Sequence, residues 1–177
     1  MSDTGKNSRE INLLLAAQAN DVNHIDLFFK QTDQKSVSEG VNVTDSDGVR
    51  PIMYASFYGN IMFVQQLIKA GAEVNCVEKR GWTPLMYAVR YGRLDVTQEL
   101  VLNGAELEVI NDEGHTALMI AAKYGQIDIL NFLMNHGADP EKKDNQGLTA
   151  VELAQEKGYK IIVKTLNDKM NERKKNE

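Results

Sequence analysis

The sequence predicts an all-α solenoid of turn–helix–turn–helix units stacked head to tail, and three observations predict it. Gly48, Gly81, Gly114 and Gly147 recur every 33 residues, as do Gly59, Gly92, Gly125 and Gly158. Ala55, Ala88, Ala121 and Ala154 keep the same step. A third glycine series, Gly71, Gly104 and Gly137, shares it and is followed each time by alanine, at Ala72, Ala105 and Ala138. Composition does not put four series on one period. A repeated supersecondary unit does.

Residues 1–10 form a polar N-terminal tail. The first unit, about 11–47, is incomplete but keeps Ala16-Ala17 and the apolar set Ile25, Phe28 and Phe29. Aligning Ala16 with Ala55 gives a step of 39 rather than 33, so six extra residues lie between Lys30 and Val41, expected as a longer loop. In the second unit, 48–80, Arg50 stands where a capping threonine stands later, which weakens that helix start by roughly 1 kcal/mol. Its second helix buries Val64, Leu67 and Ile68 at i, i+3, i+4 spacing.

The third unit, 81–113, opens with Gly81-Trp82-Thr83-Pro84-Leu85. Threonine is a good N-cap, and proline suits the first helical position, where its missing N–H costs nothing. Thr116 and Thr149 repeat the cap in the fourth unit, 114–146, and the fifth, 147–170. First helices end at Gly92, Gly125 and Gly158, since glycine takes the left-handed conformation that closes a helix. Asp95 and Asp128 then place negative charge at the start of the second helix, where the dipole favours it. The fourth unit buries Leu130, Leu133 and Met134, and Thr97 dents the matching stripe of the third. In the fifth, Glu152, Lys160 and Lys164 replace apolar positions, as a terminal repeat facing water requires. From Asp168 onward a frayed helix end or a disordered segment is expected, with 171–177 as a polar C-terminal tail.

These residues resemble the ankyrin repeat family. Gly81 to Ala88 reads Gly-x-Thr-Pro-Leu-x-x-Ala, Gly114 to Ala121 nearly so, and Leu67 to Asn75 is close to Leu-x-x-Gly-Ala-x-x-Asn. The resemblance spans Ile11 to Leu166 and implies an ankyrin-repeat solenoid of five repeats, three full and two capping, with β-hairpin-like turns. It departs from the family at Met53, Met86 and Met119, where histidine is common, so apolar packing replaces a polar network there.

Composition excludes several function classes. Hydrophobic residues make up 42% and charged residues 25% of 177, ordinary for a globular chain. A net charge of -5 gives no general attraction to nucleic acid, and the apolar stretch Ile11 to Ala17 is too short to span a membrane. Cys76 has no internal disulfide partner, which leaves a cytoplasmic or nuclear address as the default. His24, His115 and His136 occupy different positions within their units, so no metal or other cofactor is expected. Cys76 has no histidine nearby in sequence and reads as a small buried residue rather than a nucleophile. Asp112, Glu113 and Asp144 read as solvated turn charges, and the chain is not expected to be an enzyme.

The resemblance implies a non-catalytic module that binds another protein in its groove, as adaptor or inhibitor. A pathogen or symbiont effector using the same groove is the alternative. Two sets of residues would face the partner. The hairpin tips supply Lys79, Arg80, Trp82, Glu113 and His115; the pairs before each helix-closing glycine supply Phe57, Tyr58, Arg90, Tyr91, Lys123 and Tyr124. Trp82, the one tryptophan, is placed on a tip, and Lys79, Arg80, Arg90 and Lys123 suggest an acidic partner segment. Tyr58, Tyr91 and Tyr124 recur at one position and serve either as packing between units or as partner contacts. A monomer is expected. Asn75 resembles ankyrin asparagines that a dioxygenase hydroxylates, but bonding to turn backbone also explains it.

Overall fold

The computed structural model describes residues 13–176, so the tail 1–10 and Ile11 lie outside the described residues. It contains α1 (13–19), α2 (Val22–Gln31), α3 (Gln34–Gly40), α4 (Pro51–Tyr58), α5 (Ile61–Lys69), α6 (Pro84–Arg90), α7 (Leu94–Leu102), α8 (Ala117–Lys123), α9 (Ile127–Asn135), α10 (Ala150–Glu156) and α11 (Lys160–Asn176). No strand occurs among the described residues. The chain forms two compact units, one ending at Ala105 and one beginning at Glu106.

In the first unit α4 packs on α5 and α6, α6 on α7, and α5 on α7. In the second, α8 packs on α9 and α10, and α10 on α11. The alanine series sits at these contacts, with Ala55, Ala88, Ala121 and Ala154 all at 1% exposure or less. A methyl group there lets helix axes approach closely, and larger side chains fill the flanks. Met53, Met86 and Met119 are all buried, as expected for apolar packing in place of a polar network.

The caps follow the sequence. Thr83, Thr116 and Thr149 each accept the N–H three residues on, from Met86, Met119 and Glu152. Glu152 completes a capping box by accepting the Thr149 N–H at 2.6 Å. Arg50 makes no such bond. Asp95 and Asp128 lie in the first turns of α7 and α9. Each tip closes as a tight hairpin turn: the Glu78 N–H donates to the Trp82 carbonyl and Gly81 to Glu78, and the same pair recurs at Asn111–His115 and Asp144–Leu148. Lys79 donates to the Asp47 carbonyl at 3.0 Å and Asn145 to that of Glu113 at 3.2 Å, so neighbouring tips within each unit are tied through backbone.

The structure departs from the sequence reading at several places. The six extra residues fold into α3 rather than a loop. Asp33 caps it by accepting the Ser36 N–H and hydroxyl, and Val37 gives it a buried anchor. Beyond Asp168, where a frayed end or a disordered segment is expected, the last helix continues to Asn176. Arg173 explains this, donating to the Ala138 and Met134 carbonyls at 3.1 and 2.8 Å and so capping the end of α9. In α5 it is Phe63 that joins Val64 and Leu67 in the core, with Ile68 half-buried. Thr97 is fully buried, its hydroxyl satisfied by the Arg93 carbonyl at 2.8 Å.

Candidate functional site

One inward-facing side chain organises every tip. Asp45, Glu78, Asn111 and Asp144 are 33 residues apart, and one oxygen of each accepts two backbone N–H groups, two and four residues further on, at 2.8–3.1 Å. Such local bonds hold a turn in one conformation. Asp144 is therefore no solvated charge: it is 8% exposed and holds its tip together. Burial opposes its ionisation, but the Leu148 and Gln146 N–H groups and His115 hold its pKa below the usual 3.8. Residue type does not reveal this series, because it changes from Asp to Glu to Asn. Only the spacing signals it.

In the first unit, two helix ends bring aromatic and cationic groups together. Phe57 and Tyr58 finish α4, and Arg90 finishes α6 with Tyr91 as its C-cap. The Tyr91 ring packs edge-on against Phe57 at 4.4 Å, and Phe57 against Tyr58 at 4.8 Å. The Arg90 guanidinium lies 5.3 Å from the Trp82 ring centre and 5.6 Å from that of Tyr91, within cation–π range of both. Arg93 pins the end of α4: its Nε donates to the Phe57 carbonyl at 3.2 Å, and its stem lies on Gly59 where a Cβ would meet it at 2.6 Å. Tyr58 donates its hydroxyl to the Gln18 carbonyl at 2.7 Å. Lys79 and Arg80 stand on the adjoining tip, 3.9 Å from Asp47 and 3.7 Å from Glu78 respectively, with about two thirds of each side chain in solvent.

Trp82 is not on an exposed tip. It is 6% exposed, its ring tilted against Tyr87 at 5.3 Å. Gly81, at φ 76°, reverses the chain and turns the next residue back against α6. His115 occupies the matching position after Gly114 and is also buried, at 4% exposure.

Around His115 the second unit gathers Glu113, Lys123 and Asp144. His115 Nε2 lies 3.2 Å from Asp144 Oδ2, His115 Nδ1 is 3.5 Å from Glu113 Oε2, and Lys123 Nζ is 2.9 Å from that same Glu113 oxygen. Burial first, then Lys123, push the His115 pKa below 6.5. Tyr124 is 37% exposed and Tyr91 39%. Among the residues expected to face a partner, Lys79, Arg80, Tyr91, Glu113 and Tyr124 are exposed, while Phe57, Tyr58, Arg90 and Lys123 are half-buried.

Other candidates fall into structural roles. Cys76 is 5% exposed and burial pushes its thiol up to about 11. Asn75 donates to the Gly104 carbonyl at 3.0 Å, as Asn42 does to that of Gly71. His24 pairs with Asp21, which caps α2, and His136 contacts the Phe132 carbonyl. Among the described residues no group of three or more His, Cys, Asp or Glu could hold a metal ion. No described helix is long and apolar enough to cross a membrane.

No curated protein matches this chain. The family model described as ankyrin repeats (3 copies) matches residues 13–111 and again 94–176, nearly the whole of the described chain. With those matches, its glycine-closed helix pairs and its hydrogen-bonded hairpin tips, the chain belongs to the ankyrin repeat family.

Proposed function

We propose that this protein is a monomeric, non-catalytic adaptor or inhibitor of the cytoplasm or nucleus that binds an acidic segment of another protein. Phe57, Tyr58, Lys79, Arg80, Arg90 and Tyr91 supply the contact surface of the first unit; Glu113, Lys123 and Tyr124 supply a second set. Ankyrin repeats are generally protein–protein interaction modules and typically lack catalysis, which supports the class of function. The observation that carries the site is Arg90, whose guanidinium rests over two aromatic rings. A cation ordered before binding loses less side-chain entropy when a carboxylate arrives. Lys79 and Arg80 add exposed positive charge beside it, which would steer an acidic chain.

Trp82 contributes from beneath, as the floor of Arg90 rather than as a contact. The test is therefore a double substitution, Arg90→Ala with Tyr91→Ala, in a tagged full-length bait. A protein captured by the parent bait should be lost from the variant, while the melting temperature stays close to that of the parent. Equal recovery on both baits would remove this surface from the binding site.

A further inference from the structure

The second unit holds a charge arrangement that partner binding does not explain. Lys123 Nζ and His115 Nδ1 both face one oxygen, Glu113 Oε2, at 2.9 and 3.5 Å. On the opposite edge of the ring, Nε2 faces Asp144 Oδ2 at 3.2 Å. An ionised carboxylate can only accept, so the neutral imidazole carries its proton on Nε2 and presents Nδ1 as a bare acceptor. Two acceptors repel, and the 3.5 Å gap lies beyond ordinary hydrogen-bond length. Glu113 accordingly belongs to Lys123 while the ring is neutral. A proton added at Nδ1 makes two cationic donors compete for that oxygen.

We propose that His115 is a proton-operated selector: protonation of Nδ1 draws Glu113 onto the imidazolium and releases the Lys123 ammonium from its ion pair. The change rearranges surface charge at this tip without altering the fold. Within this unit the charged groups facing the ring are Glu113 on its own tip, Lys123 on α8 and Asp144 on the following tip. Burial and Lys123 lower the imidazole pKa, while Glu113 and Asp144 pull the other way. The matching positions in other repeats are Val49, Trp82 and Leu148, none of which titrates, so this device belongs to one tip alone. This exchange belongs to the tip's own chemistry and does not depend on a partner binding there.

The test is an NMR titration of the full chain from about pH 8 to about pH 4.5, following histidine ring nitrogens and lysine ε-methylene signals. His115 should titrate below its ordinary value, and the Lys123 signal should move with the same midpoint. Lys123→Met should raise that midpoint by removing the competing cation, and Glu113→Gln should lower it. His115→Gln should leave the Lys123 signal flat over the same range. Glu113 and Lys123 reach the surface, so those two variants leave the buried ring in place and carry the test even if His115→Gln does not fold. A Lys123 signal indifferent to His115, or a His115 midpoint unmoved in both surface variants, overturns the proposal.

Discussion

Trp82 and Cys76 show how burial sets the role of a side chain whose type alone suggests chemistry. Trp82 carries its ring under Arg90 and against Tyr87. Truncating a buried tryptophan removes its transfer energy and leaves a cavity, so Trp82→Ala should cost about 3–5 kcal/mol in urea denaturation. Arg90→Ala loses a cation–π contact at the surface and should cost no more than about 1 kcal/mol. A Trp82→Ala protein as stable as the parent would return that residue to the surface. Cys76 offers a second check: with its thiol pushed up to about 11, alkylation near neutral pH should be slow in the native protein and fast in denaturant. Residue type was legible in the sequence at both positions, but burial was legible only for Cys76. The reversal at Gly81 that turns Trp82 inward depends on a hydrogen bond from Glu78, and no residue-by-residue reading contains it.

Elements were legible wherever cap, apolar period and closing glycine agreed, as in α6, α8 and α10. Two stretches were hidden, α3 and the C-terminal end of α11. The insertion after Lys30 has a capping aspartate but is too short for an apolar period, so α3 read as loop; the C-terminal run has no apolar face, and Arg173 holds it through carbonyls of another helix. Glycine positions also differ in what they demand. Gly114, at φ 80°, would place a Cβ 2.6 Å from the Asn145 backbone nitrogen, whereas Gly137, at φ 97°, has open space there. Gly137→Ala should therefore cost roughly 1 kcal/mol, the ordinary penalty for a left-handed alanine. Gly114→Ala should cost more, because the backbone of the next tip must move. Thermal melts of the two variants decide it, and equal melting temperatures would contradict the close approach of those tips. Asp33→Ala should cost about 1 kcal/mol by removing the α3 cap.

For the whole molecule, stability in mild acid follows from the fixed polar bonds at the tips. The His115 pKa is lowered in the folded chain, so below pH 6.5 the unfolded chain takes up a proton that the native chain resists. Stability conferred by the neutral ring is complete above 6.5 and declines as pH falls toward the depressed native value. Asp144 and Asp45 act in a lower window: each pKa lies below 3.8 in the fold, so their contribution is present above 3.8 and is lost as pH falls through the native values. Melting temperature should thus decline in two stages on acidification. His115→Gln should flatten the upper stage while leaving the lower one. Asp144→Asn should act differently, lowering stability at neutral pH because it replaces an ionised acceptor of two backbone N–H groups and one imidazole with a neutral one. Calorimetric scans of the three proteins across both windows separate these effects. If His115→Gln declined with pH as the parent does between neutrality and pH 5, the upper stage would have another source, and the buried imidazole would have no part in the acid response.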